Sequence, residues 1–356
     1  GPDAVGDQQP VQEPARTDAG QAAGTGSNPG DGGRTDNGRT DPAAIAKNVE
    51  AEREIALPPN YQITEADHVG EGGPKAKVAA NLEALRLLKV LEAENRKASP
   101  SEQAVLVRYV GWGAFAQDMF QDAKPEWAKE RAELKSLLTT EEYDSARASV
   151  LNAHYTSPEV IKGMWGAMEY LGFTGGRAIE PASGVGHFIG MTPAALRDKV
   201  KWTATELDKV TGAIAQQLYQ RADVNVQGFE TLNRPNGFYD VAISNVPFGS
   251  FNIRDLRYKD EYLIHDYFFI RSLDLVRPGG VVAFITSSGT MDKANDSARA
   301  EIMKRADLLG AIRLPGGRKG AFAGNAGTEV TTDILFLRRK GPGLAAIANE
   351  WQNLKE

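Results

Sequence analysis

Cysteine is absent from the 356-residue chain and histidine occurs only four times. Without thiols there can be no disulfide, no thiolate-ligated metal and no cysteine nucleophile. That removes reactions running through a thiol adduct, the usual covalent route to cytosine-C5 methylation among them. Four histidines without paired ligand spacing give no reason to expect a catalytic metal. Long apolar runs are missing too, and none approaches the roughly 20 residues that cross a bilayer as a helix. No secretory signal opens the sequence. With 41% hydrophobic and 25% charged residues, the composition is ordinary for a globular protein. The expectation is a soluble, cytoplasmic enzyme.

An excess of positive charge is also lacking. The formal net charge is −6, but the first sixty residues hold ten acids and only five Arg or Lys. The remaining 36 basic and 37 acidic residues nearly balance. Any basic groove for nucleic acid must therefore be local, and tight nonspecific DNA binding is not expected.

Four stretches follow from the residue patterns. Residues 1–60 are expected to be linker. As far as Asp41 they are rich in Gly, Asp, Pro, Ala, Thr and Asn, with Val5 and Val11 the only large aliphatics. Such a segment buries too little apolar surface to offset its ordering entropy. Gly1-Pro2 reads as a protease-tag remnant, so the chain is expected to come from a longer polypeptide. Residues 61–149 are predicted to be a helical subdomain. Val78, Leu82, Leu85 and Leu88 line one helix face, and Ser99-Pro100-Ser101-Glu102 and Thr139-Thr140-Glu141-Glu142 are capping boxes. Between them, Tyr109-Val110-Gly111-Trp112-Gly113 reads as an aromatic packing corner, with a nucleic-acid stacking surface as the alternative. Residues 150–340 alternate strands and helices, as a parallel sheet requires, and residues 341–356 form a tail.

The α/β stretch carries the chemistry. Asp240 to Asn245 reads as a buried strand that ends in Asn245-Val246-Pro247-Phe248. That ending suits methylation of an exocyclic amine, whose conjugated lone pair is a poor nucleophile. The Asn245 side-chain oxygen and the Val246 carbonyl can accept both N–H hydrogens, while Phe248 stacks on the planar group, as on an extruded base. Upstream, an apolar strand leads into Glu180-Pro181-Ala182-Ser183-Gly184-Val185-Gly186. This is not the G-x-G-x-x-G of dinucleotide binders. A carboxylate beside a glycine turn suits a zwitterion instead, such as the methionine part of S-adenosylmethionine (SAM), with Glu180, Ser183, Gly184 and Gly186 around it. The next strand, Trp202 to Glu206, ends in a carboxylate placed to hold ribose hydroxyls. Val224 to Glu230 is expected to be a third strand with a polar end. Val281 to Ile285 is expected as the fifth strand, after a helix that stops at Arg277-Pro278-Gly279-Gly280. His265-Asp266 is read as structural or phosphate-contacting, because methyl transfer from a sulfonium needs no strong base.

In these segments, together with His154-Tyr155-Thr156-Ser157-Pro158, Glu206-Leu207-Asp208, Gly228-Phe229-Glu230, Thr290-Met291-Asp292, Gly310 to Pro315 and Thr331-Thr332-Asp333, the chain resembles a known family. It is similar to the SAM-dependent DNA adenine-N6 methyltransferases. More narrowly, it resembles the methylase part of large phage and mobile-element methylase-helicase proteins. The resemblance runs from about Ile63 to Arg339 and implies a Rossmann-like methyltransferase fold with a mostly parallel seven-stranded sheet. It implies SAM as cofactor, a flipped adenine in DNA as substrate, a role in DNA modification and antirestriction, and a helicase-like part elsewhere in a longer parent. It assigns Asn245, Val246, Pro247 and Phe248 to catalysis. To the cofactor it assigns Tyr155, Thr156, Glu180, Pro181, Ser183, Gly184, Gly186, Glu206, Leu207 and Glu230. Tyr155 either lines the cofactor pocket or packs under it. Glu230 either ends its strand or stands near the target amine or the cofactor's adenine. The chain departs from the family in lacking an evident target-recognition domain after Phe248, so little sequence selectivity is expected. An RNA adenine, a protein glutamine amide, or a noncatalytic scaffold role are the alternatives.

Overall fold

The computed structural model describes residues 57–121, 124–150, 156–316, 331–345 and 347. Most of the expected linker, Tyr155, and most of the tail lie outside the described residues.

The N-terminal helices form where the periodicity and caps predict them. Helix α1 (Pro74–Ala93) buries Val78, Leu82, Leu85 and Leu88. The Ser99–Glu102 capping box opens α2 (Pro100–Leu106), and after α3 (Ala116–Phe120) and α4 (Ala128–Leu137) the Thr139–Glu142 box opens α5 (Thr140–Ser149). Each box satisfies two backbone N–H groups that the first helical turn would otherwise leave unpaired. The aromatic corner is buried, with Tyr109 and Trp112 packed edge to face at 6.1 Å. Asn81 clamps it from α1, donating to the Gly111 carbonyl at 2.6 Å and accepting from the Val110 N–H at 2.9 Å. A packing role is what this geometry supports. Helix α6 (Pro158–Tyr170) starts at the Ser157 cap and buries Ile161, Met164, Trp165 and Met168.

The sheet is built from β1 (Gly176–Glu180), β2 (Val200–Glu206), β3 (Asp223–Val226), β4 (Tyr239–Asn245), β7 (Val276–Ser287), β8 (Ala306–Leu314) and β9 (Thr332–Arg339). Helices α7 (His187–Gly190) and α8 (Lys209–Leu218) follow β1 and β2. A hairpin of β5 (Asn252–Ile253) and β6 (Tyr262–Leu263) and helix α9 (Ile264–Leu275) link β4 to β7. Helices α10 (Gly289–Asp292) and α11 (Ser297–Arg305) precede β8. The strand order is β3-β2-β1-β4-β7-β9-β8, with β9 antiparallel to both neighbours and the other pairings parallel. This is the Rossmann-like, mostly parallel seven-stranded sheet that the sequence anticipated.

Alternate residues of each central strand feed two cores. Ala178, Val241, Ile243, Ala283 and Ile285 face one side with α6, α8 and the N-terminal helices. Ile179, Ala242, Val282 and Phe284 face the other with α9 and α11. The period of two is what a sheet covered on both faces demands. The helical stretch shares the first core with the sheet, and polar contacts reinforce the join. Gln103 donates to the Gln217 carbonyl at 2.8 Å, and Ser145 to Asp208 at 2.9 Å.

Two strand boundaries differ from expectation. β3 stops at Val226, and Phe229–Thr231 form a 3-10 turn whose Phe229 packs on Phe268 at 5.1 Å. Burying that ring against α9 outweighs continuing the strand. β7 starts at Val276, before the glycines read as a helix stop. Its register with β4 jumps from Tyr239↔Val276 to Val241↔Val281, so residues 277–280 bulge out. Arg277 secures the bulge by pairing with Asp240 at 2.5 Å.

Candidate active site at the sheet switch point

From β1 the chain winds outward through β2 to β3, then returns to add β4 on the other side of β1. Open α/β sheets bind ligands in the crevice outside the carboxyl ends of strands at such a reversal. Here those ends are Glu180 on β1 and Asn245 on β4.

The β1 wall is a glycine turn fixed by backbone bonds. The Ser183 N–H donates to the Thr205 carbonyl at 2.9 Å, and the Gly186 N–H to the Ser183 carbonyl at 2.8 Å. Thr205 also bonds the Pro181 carbonyl through its hydroxyl. Gly184 and Gly186 both hold positive φ, 53° and 79°, where a side chain is strained. At Gly186 a Cβ would collide with the buried Tyr219 ring, whereas at Gly184 it would meet nothing within 4 Å. The turn is thus packed from below and open above.

Two carboxyl groups line it. Glu180 is 2% exposed, and its Oε2 has no hydrogen-bond partner among the described residues. Burial, and then the charge of Glu206, hold its pKa well above the ordinary value. Glu206 accepts the Gly184 and Asp208 N–H groups, both at 2.8 Å. Desolvation still pushes it up to about 7, helped by the charge of Asp208. Among the described residues no Lys or Arg pairs with either Glu180 or Glu206. Leu207, next in the chain, is 71% exposed.

The β4 wall is stitched to the first. Ser244 donates to the Ala182 carbonyl at 3.2 Å. Asn245 donates through Nδ2 to Thr156 Oγ1 at 3.0 Å, and Val246 N–H donates to the Ile285 carbonyl at 3.1 Å. Val246 is buried, with Pro247 and Phe248 half-buried.

Gly184 is therefore brought onto Glu206 and Ser183 onto Thr205, and Thr156 meets Asn245. Glu230 sits in the turn after β3, where its carbonyl accepts from Arg257 and its side chain folds over Gly228. His265 and Asp266 are buried on α9, and Lys293 Nζ lies 3.3 Å from His265 Nε2. Burial, then the charge of Lys293, lowers the His265 pKa to about 4, so the ring is neutral at pH 7. Sequence reasoning missed Tyr219, Thr205 and Ser244, which support the turn. The glycine at 186 was a signal that something lies close beneath it, without saying what.

No protein-family model matches the chain. Over 195 residues, 53% of its length, it is 33% identical to the Defense against restriction protein B of Escherichia phage P1. The chain is a sequence relative of that phage protein. It spans 8% of the phage protein's length. Among solved structures it is similar to a class I S-adenosylmethionine-dependent methyltransferase from Listeria monocytogenes, at 16% identity, covering 76% of this chain and 91% of that one with a TM-score of 0.46. It is also similar to a type I restriction-modification methyltransferase subunit from Streptococcus thermophilus, at 14% identity, covering 85% and 71% with a TM-score of 0.46. Likenesses of that degree do not bear on chemistry, which rests on the crevice itself.

Proposed function

We propose that the chain transfers a methyl group from SAM to the N6 amine of adenine in DNA, with little sequence selectivity, as the methylase module of a longer protein. One observation carries the reading. Glu206, Glu180 and the Asn245-Val246-Pro247-Phe248 segment stand at the carboxyl ends of the neighbouring strands β2, β1 and β4, and among the described residues no Lys or Arg pairs with either carboxyl group.

The residues fit the cofactor. A buried carboxyl oxygen without a donor and a glycine turn with open space above it suit a ligand that brings an ammonium group and hydroxyls. Glu180 would take the ammonium group, Glu206 the ribose hydroxyls, and the exposed Leu207 would lie along the adenine ring. When bound, the cofactor supplies a methyl group activated on a sulfonium. Asn245 and the Val246 carbonyl hold the two N–H bonds of the target amine, drawing its lone pair out of conjugation. Phe248 stacks on the base. The amine held by Asn245 and the Val246 carbonyl would give up its surplus proton to water. The neutral His265 supplies no charge to this step. The sequence relationship to an antirestriction protein of a phage supports DNA as the substrate.

The test offers labelled SAM with DNA, RNA and protein extract in parallel, followed by mass spectrometry of nucleosides. N6-methyladenine from DNA is the expected product. Label in RNA or in glutamine redirects the substrate assignment, and no transfer to any acceptor favours a scaffold.

A further inference from the structure

The β4–α9 connection leaves the sheet at the same edge as Asn245 to Phe248, because it joins the carboxyl end of β4 to the start of α9. It carries the β5–β6 hairpin, paired Asn252↔Leu263 and Ile253↔Tyr262. At its tip Leu256 is 89% exposed. An apolar side chain held in water gains nothing for folding, yet both of its neighbours are locked. Asp255 is buried and accepts Arg257 Nε at 2.9 Å and Nη2 at 2.7 Å. Tyr267 donates to the same carboxylate at 2.7 Å. Arg257 also donates to the Leu232 carbonyl at 3.1 Å and to the Glu230 carbonyl, which ties the tip to the segment after β3. The tip is thus an apolar point anchored by polar contacts on the connection that follows Asn245 to Phe248. Phe251, at its base, is 46% exposed. Arg254 and Lys259 flank Leu256 in the sequence, and among the described residues neither forms an ion pair. Asp260 and Glu261 lie nearer to β6.

We propose that Leu256 is a wedge that enters the base stack of duplex DNA and fills the gap left by the extruded adenine. This rests on the DNA-adenine reading above. Extrusion leaves a hole lined by the faces of the neighbouring bases, and an apolar side chain on a rigid support fills such a gap without giving up hydrogen bonds. Arg254 and Lys259 are placed to meet the phosphates on either side. Single-stranded DNA has no paired stack to hold open, so the wedge acts on duplex alone.

The full chain, Leu256→Ala and Leu256→Met are compared on one mixed-sequence DNA, offered as duplex and as heat-denatured single strands with labelled SAM. Leu256→Ala is expected to lower methylation of duplex about tenfold, equivalent to about 1.4 kcal/mol, and to change that of single strands less than about twofold on the same scale. Leu256→Met keeps most duplex activity, and both variants keep the parent's melting temperature. An unchanged duplex-to-single-strand ratio in Leu256→Ala, whether both rates hold or both fall, overturns the wedge while leaving the DNA reading intact. No methyl transfer to either DNA by the parent chain overturns both.

Discussion

Glu180 and the turn after it are held by backbone hydrogen bonds and packed from below by Tyr219, and among the described residues no cation pairs with Glu180 or with Glu206 of the neighbouring strand. Asn245 to Phe248, across the crevice, carry no charge and offer an amide, a carbonyl and a half-buried ring. On the proposed reading the first wall would select by electrostatics, since a carboxyl pair without a cation among the described residues favours a ligand bearing positive charge. The second selects by shape and hydrogen-bond pattern, as a planar amine requires. A group-transfer site needs both kinds of wall, and the division predicts that each can be damaged separately.

Asn245→Ala should do the greatest harm. Loss of one preorganised active-site hydrogen-bonding group costs roughly 10²–10³ in turnover, so single-turnover rates should fall by that factor with the fold intact. A loss below tenfold would remove Asn245 from the chemistry. Gly186→Ala strikes the first wall, where the new Cβ meets Tyr219 at a φ of 79°. Overpacking of this kind costs about 1–3 kcal/mol, visible as a lower melting temperature and weaker cofactor binding. Phe248→Ala should raise the apparent dissociation constant for DNA by the loss of one stacking contact, about 1–3 kcal/mol, with cofactor binding unchanged in a direct titration.

The smallest expected effect is on pH dependence. Glu206 titrates at about 7 against an ordinary 4.5, and Glu180 is shifted in the same direction. In the folded chain both retain protons where the unfolded chain has lost them. The contribution of Glu206 to stability is therefore complete below about 4.5 and is lost as pH rises through about 7, and that of Glu180 is likewise lost as pH rises. A cationic ligand favours the ionised pair, so its binding should release protons and tighten several-fold as the pH climbs from 6 to 8. Calorimetry in two buffers of different ionisation enthalpy measures the proton release, and proton uptake would contradict the electrostatic description of the first wall.

Much of this arrangement was legible in the sequence because it is local. The α1 stripe from Val78 to Leu88, the two capping boxes and the strand-glycine junction at Glu180 to Gly186 are each set by residues a few positions apart. The contacts that complete the site are not local. Thr156 and Asn245 are 89 positions apart, and no local pattern shows that the Thr156 hydroxyl meets the Asn245 amide. Tyr219 and Gly186 meet only once α8 packs against the turn. Glu230 was read at the end of a strand, but Phe229 turns inward to the α9 aromatics and the chain leaves the sheet at Val226. Pro278-Gly279-Gly280 was read as a stop signal, because no local pattern reveals that a strand can resume its register after a four-residue bulge.

The most direct test of the two-wall account is a calorimetric titration of S-adenosylhomocysteine into the parent chain, Glu206→Gln and Asn245→Ala. A lost charge-assisted hydrogen bond costs about 1.5–3 kcal/mol, so Glu206→Gln should bind roughly ten- to a hundredfold more weakly. Asn245→Ala should bind like the parent. Equal weakening in both variants, or no heat with the parent at protein concentrations above about 100 μM, would contradict the assignment of the cofactor to the β1 wall.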